Sequence, residues 1–397
     1  MSRCESETVS APAHFLTFSL SHRGSSKLLT TVLREVSRSF YLTMRVLPGS
    51  IRRQIGLAYL LARTTDTITD TELVPVHRRL DALARLRERI LGASEQRLDF
   101  SEFTQTIPGP PAPLLAHCEN ALRNIEYDKL TDPQKVSREG SPAERVLLQR
   151  IEEMLGVLKT FSESDQQLIR QVLATIVSGQ ELDLQRFGAA SPNASTLQPV
   201  IRALDTMEQL DDYTYRVAGC VGEFWTRICR AHVFPRASLD DSQLLADAVR
   251  FGKGLQLVNV LRDLPADLRN SRCYLPQNEL AGLGMTPADL LNPKNETRLR
   301  PLYNALLDRT EEHLRAAWRY TQALPRSSAR VRLACAWPIL IGVRTLAKLR
   351  AHNVLSPTQR IKISRDDVKR IMVRSIILYP FGRAWGDLYQ RALVSSD

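Results

Sequence analysis

The stretch Tyr59 to Asp70, reading YLLARTTDTITD, places Tyr59, Arg63, Asp66 and Asp70 at i, i+4, i+7 and i+11, so all four lie along one stripe of an α-helix. Leu57, Ala58, Leu60, Leu61, Ala62 and Ile68 surround that stripe with apolar side chains, and the helix is therefore read as buried. Acids four residues apart are expensive in such a setting unless something positive sits between them, which makes a hard divalent cation the natural partner. The pattern is written again far downstream. In GKGLQLVNVLRDLPADL, Lys253, Gln256, Asn259, Asp263 and Asp267 form a second polar stripe at helical spacing. Each acid pair has an arginine nearby, Arg63 in one and Arg262 in the other. Two such pairs suit a hollow in which Mg²⁺ bridges aspartates to phosphate oxygens while the arginines neutralise the remaining charge, that is, a diphosphate site.

Helices must carry these stripes. From Leu28 onward one helical period follows another and strand-type alternation is nearly absent, so the fold class is all-α. A single domain is expected over residues 27–388, with a loose lead-in over 1–26 and a tail over 389–397. Helices are expected over 28–46, from 51 onward, and over 78–91, 144–161, 165–187, 205–232, 239–264, 298–324, 327–350 and 365–378. The strongest breaker, TIPGPPAP from Thr106 to Pro113, reads as a loop inside the domain. Pro265 between Asp263 and Asp267 would kink a helix interior at a cost of about 3 kcal/mol unless the helix is already ending there. Gly219 and Gly222 make a small face that a ligand tail or another helix can approach closely.

A net charge of +11 over 397 residues points to anionic ligands. Aromatic residues make up only 6% and no dense Lys/Arg run interleaves with them, which argues against nucleic acid. The six cysteines are scattered without a CxxC pair, so neither zinc nor a disulfide framework is indicated and a reducing cytoplasm fits. Apolar runs such as Leu333 to Val343 fall short of the ~20 residues that a transmembrane helix needs, and the N-terminal stretch lacks the continuous apolar core of a signal peptide. Peripheral contact at the inner membrane surface, through the basic surface or the C-terminal RIMVRSIILYPF, is the membrane option that stays open.

With SRSF, DTITD, YTYRVAGCVG and NVLRDLPAD in view, the chain resembles the squalene/phytoene synthase family of head-to-head isoprenyl diphosphate synthases, from about Leu28 to Met372. In ACAWPILIGVRTLAKL and RIKISRDDVKRIM it looks more like the squalene-synthase branch than the phytoene branch. The resemblance implies an isoprenoid-synthase helical domain with a central cavity, Mg²⁺ at the diphosphates and prenyl tails in an apolar shaft. It further implies that two molecules of farnesyl diphosphate join through presqualene diphosphate, a cyclopropylcarbinyl diphosphate, which NADPH then reduces to squalene. The same resemblance assigns Asp66, Asp70, Asp263 and Asp267 to Mg²⁺, and Tyr213 and Tyr59 to catalysis. Arg38, Arg63, Arg262 and Arg272 match positions where the family binds diphosphate or the NADPH phosphates. Ser37, Gln256 and Asn259 are implied as polar helpers of the substrate. Phe40, Val217, Ala218 and Leu255 would line the shaft, and Lys362 and Arg365 resemble a C-terminal cofactor-binding basic pair. Two features depart from the family pattern: Thr69 stands where some relatives carry a further acid, and the spacing in KISR differs by one residue.

A sibling enzyme would stop short of reduction and release phytoene, dehydrosqualene or a hydroxysqualene. A non-catalytic assembly or scaffold relative would have little reason to keep all four aspartates and both arginines. A head-to-tail prenyl synthase or cyclase is disfavoured, because DTITD lacks the DDxxD form those enzymes usually display.

Overall fold

A computed structural model describes residues 40–106, 142–188, 200–356 and 361–394. The helices in chain order are α1 (Phe40–Val46), α2 (Gly49–Asp70), α3 (Val76–Leu91), α4 (Ser101–Thr106), α5 (Pro142–Gln149), α6 (Ile151–Leu158), α7 (Glu163–Phe187), α8 (Met207–Thr214), α9 (Cys220–His232), α10 (Asp241–Arg269), α11 (Gln277–Gly282), α12 (Glu296–Ala323), α13 (Ala329–Ala351), α14 (Arg365–Leu378), α15 (Gly382–Gly386) and α16 (Leu388–Val394). Among the described residues the extended structure is one pair of two-residue parallel strands, β1 (Arg202–Ala203) and β2 (Arg272–Cys273). The all-α expectation is met.

Local chemistry explains the helix that carries the first acids. The threonines of α2, and Thr71 just after it, return their hydroxyls to the helix backbone, Thr64 to the Leu60 carbonyl, Thr67 to Arg63 and Thr71 to Thr67, and so can be buried among apolar neighbours. Its end is closed by the buried Arg79 of α3, which donates to the Thr69 carbonyl at 2.7 Å, satisfying one of the carbonyls a helix terminus leaves open. The helix with the second acids starts on Asp240, whose side chain accepts from the Ser242 and Gln243 amides, both at 3.1 Å, a standard N-cap arrangement.

The structure differs from the sequence reading where a break or its repair is non-local. The expected 144–161 helix divides at Arg150 into α5 and α6. The expected 205–232 helix passes through a π-helical segment, Tyr215–Gly219, between α8 and α9. Conversely, α10 runs through Pro265 to Arg269. Proline there leaves the Leu261 carbonyl without its helical donor, and Tyr303 of α12 supplies one through its hydroxyl at 2.8 Å.

Two buried apolar clusters fill the interior. One is built largely on α2, α3, α6, α7 and α9, the other on α10, α12 and α13, and Phe251 packs against both. Helix α10 spans the two, with Leu244 and Ala248 in the first and Leu257 to Leu268 in the second. Its crossing with the α9 side is backbone on backbone: a Cβ at Gly222 would sit 1.9 Å from the Ala248 oxygen, and one at Gly252 2.0 Å from the Ala218 oxygen. At Gly222 it is thus another helix that uses the small face.

Candidate active site

The polar stripe of α2 is open to solvent, not sunk in the core that its apolar neighbours suggested. Asp66 keeps 46% of its side chain exposed and Asp70 is exposed outright, while protein crowds both at longer range, an environment that reads as the wall of a recess. Arg63 is held by a close hydrogen bond to Glu144 of α5 and stands 3.7 Å from Asp66. From α7, Gln180 donates to Asp66 Oδ1 at 2.5 Å. The half-buried Tyr59 stands beside Arg63, Asp66 and Glu144, and burial raises its phenol pKa.

On α10, Arg262 donates through Nε to Asp263 Oδ1 at 2.9 Å, and Asn259 donates to Gln256 Oε1 at 3.4 Å. Gln256 in turn donates to the Tyr213 hydroxyl at 3.1 Å. Tyr213, at the C-terminal end of α8, is stacked on Tyr274, and the Tyr274 hydroxyl donates to Asp183 Oδ2 of α7 at 2.7 Å. Lys253 of the same stripe is engaged elsewhere, donating to Asp211 Oδ2 at 2.6 Å.

Arg272 lies within electrostatic reach of both halves. Its positive charge acts on Asp70 from the first pair, Asp267 from the second, and Asp183. Strand β2 fixes its position: the Arg202 amide donates to the Ser271 carbonyl and the Leu204 amide to Cys273, each at 3.1 Å. Ser271, next to Arg272, has φ of 58°, the left-handed region that non-glycine residues seldom adopt and that gathers at functional sites.

The recess holds more acid than base can satisfy. Loss of surrounding water, then the neighbouring Asp70, pushes Asp66 up to about 6. The same loss of water, then Asp263, pushes Asp267 up to about 7. Burial also raises Asp183 to about 6, against the pull of its Tyr274 hydrogen bond. Arg63 Nε, Gln180 Oε1 and Asp183 Oδ1 are buried without hydrogen-bond partners. Among the described residues no three His, Cys, Asp or Glu side chains are grouped to hold an ion by themselves. An acidic, under-neutralised recess with orphaned polar atoms fits a divalent cation that completes its shell with the oxygens of a bound anion.

Of the residues singled out in the sequence, Tyr59, Arg63, Asp66, Asp70, Tyr213, Gln256, Asn259, Arg262, Asp263, Asp267 and Arg272 belong to this recess or its wall. Val217 and Ala218 lie in the π-helical segment, where Val217 packs close to Gly179 of α7, and Leu255 lies on α10, packed with Val217 against the second core cluster. Ser37, Arg38 and the Phe40 side chain lie outside the described residues. Lys362 and Arg365 are exposed on the C-terminal segment, where Lys362 accepts through its carbonyl from Lys348. Sequence reading missed Glu144, Gln180, Asp183 and Tyr274. Gln180 and Asp183 sit three apart in LATIVSGQELDL, but Thr175, Ser178 and Glu181 share that segment and leave no isolated polar stripe to single them out.

Two acid pairs on two long helices of an all-α bundle, with one arginine in electrostatic reach of both, define the isoprenoid-synthase class of fold. The complex of TcSQS with the ligand BPH1237 has that fold, matching with a TM-score of 0.64 at 18% identity over 94% of this chain and 99% of that one. The squalene/phytoene synthase profile matches residues 33–367, and the chain belongs to the squalene/phytoene synthase family. It is 26% identical over 347 residues to the bifunctional lycopene cyclase/phytoene synthase of Pyrenophora tritici-repentis, covering 86% of this chain and 48% of that protein, so it spans about half that relative's length. It is also 26% identical over 315 residues to the 15-cis-phytoene synthase of a Synechocystis strain, covering 78% of this chain and 70% of that one.

Proposed function

We propose that the protein joins two prenyl diphosphates head to head with Mg²⁺ and releases the hydrocarbon without a reductive step, as a phytoene-type synthase. The observation that supports the reading is that the charge of Arg272 acts both on Asp70 of the first acid pair and on Asp267 of the second. Asp66, Asp70, Asp263 and Asp267 would hold Mg²⁺, which when bound supplies Lewis-acid neutralisation of the departing diphosphate. Arg63, Arg262 and Arg272 then share the remaining phosphate charge.

Tyr213 suits the positioning of a carbocation better than proton removal. Burial and the nearby Asp183 hold its phenol far above the usual range, so it stays neutral at physiological pH. Its hydroxyl is fixed by Gln256 and one ring face is taken by Tyr274, so the other face is what it can offer to a positive centre.

The non-reductive form is favoured over the squalene-synthase branch because the similar curated proteins are named phytoene synthases. Purified protein incubated with farnesyl or geranylgeranyl diphosphate and Mg²⁺, with and without NADPH, tests the reading. A condensed hydrocarbon formed equally in both arms is expected. Squalene appearing only with NADPH overturns the non-reductive form, and failure of every arm overturns the enzyme.

A further inference from the structure

Helix α14 meets two different surroundings. On its inner side Ser375 is fully buried and accepts a hydrogen bond from Trp337 Nε1 of α13 at 2.9 Å, while Ile371 and Leu378 pack on the core. On its outer side Val373, Ile376 and Ile377 are 55%, 50% and 60% exposed, and Phe381 just beyond the helix is 61% exposed. Val373, Ile377 and Phe381 are four residues apart and continue one stripe. The other large exposed hydrophobics, such as Leu73, Val200 and Leu291, are scattered singly, which is ordinary for a soluble surface, whereas a cluster marks an interaction site.

Bases ring the stripe. Lys369, Arg370, Arg374 and Arg391 line a shallow groove together with Val373 and Ile377. Asp366, Asp367 and Asp387 reach Lys369, Arg370 and Arg391 at 3.5, 2.7 and 3.9 Å. Across residues 361–394 there are nonetheless seven bases to three acids, so the patch stays positive after pairing. A second copy of the chain would bring this patch against its own like charge, which is unfavourable. An anionic bilayer answers both features, taking the apolar side chains into its acyl boundary and the bases onto its headgroups.

We propose that the outer face of α14, with Phe381, docks the protein on an anionic lipid bilayer. The full chain is floated with vesicles of phosphatidylcholine alone and with vesicles containing phosphatidylglycerol. It is expected to bind the anionic vesicles, less so as salt rises. Lys369→Gln with Arg374→Gln should lower the partition about thirtyfold, and Ile377→Ser with Phe381→Ser at least about tenfold. The melting temperature and elution volume should not change. The charge variant removes no buried group, so it keeps the test readable even where the apolar variant folds poorly. The proposal is overturned by absence of binding, by equal binding to neutral and anionic vesicles, or by variants that partition like the wild type. A dimer that Ile377→Ser with Phe381→Ser breaks overturns it too, in favour of a second copy on this face.

Discussion

The rings of Tyr213 and Tyr274 are stacked, their centroids 4.6 Å apart and their planes 26° from parallel, and the Tyr274 hydroxyl is anchored on Asp183 at 2.7 Å. Tyr274 is thus a positioning residue for Tyr213. Tyr274→Phe keeps the stack and frees Asp183, whereas Tyr274→Ala lets the Tyr213 ring move. Displacing a reacting group by about 1 Å can cost about a hundredfold in rate, so Tyr274→Ala should lower kcat by about that factor while KM for the diphosphate changes little. Steady-state kinetics check this, and an unchanged kcat in Tyr274→Ala refutes the positioning role.

Asp66→Asn and Asp267→Asn each remove one carboxylate, the first from the α2 pair and the second from the α10 pair. Metal stabilisation of a leaving diphosphate contributes several kcal/mol, so each variant should lose about a thousandfold or more in turnover. Far-UV circular dichroism should match the wild type, since both side chains line the recess instead of the core. Product formation at the wild-type rate in either variant would leave the acid pairs without a catalytic purpose.

Asp66 and Asp267, raised to about 6 and about 7, hold their protons more tightly folded than unfolded. Their contribution to stability is complete below the ordinary carboxylate range and is lost as the pH climbs through those values. The metal-free melting temperature should therefore fall between about pH 4 and pH 7, and Asp267→Asn should flatten the curve. Mg²⁺ with inorganic pyrophosphate should raise the melting temperature most at the alkaline end, because binding displaces protons. Differential scanning fluorimetry reads all three effects, and a wild-type curve that Asp267→Asn leaves unaltered would contradict them.

Tyr303 compensates for Pro265. Tyr303→Phe strands the buried Leu261 carbonyl and should cost about 1–3 kcal/mol in urea unfolding. In a Pro265→Ala background the helix regains its own donor, so the same substitution should cost less there. Equal costs in the two backgrounds would show that Tyr303 does not stand in for the missing amide.

Much of the recess was legible because helical spacing is a local property. The aspartates of DTITD fall on one stripe of their helix, and those of LRDLPAD fall with Gln256 and Asn259 on a stripe of another, by counting alone. Glu144, Gln180, Asp183 and Tyr274 were not legible, since each matters through a partner on another element, and neither residue of such a pair signals the other. The same holds for the course of α10: Pro265 reads as a stop, and only the distant Tyr303 makes it passable. The exposure of Asp70 was likewise hidden, because a hollow is a property of several helices and periodicity describes one.

The π-helical turn at Tyr215–Gly219 amounts to one surplus residue relative to regular winding. Excising a single position there would let α8 and α9 fuse into an uninterrupted rod with the downstream face kept in register, because the wide turn is what absorbs the extra residue. A deletion within the regular winding of α9 before Gly222 would instead turn Gly222 off Ala248 by roughly 100° about the axis. The wide turn is therefore a place where this pair of helices can take a change of length.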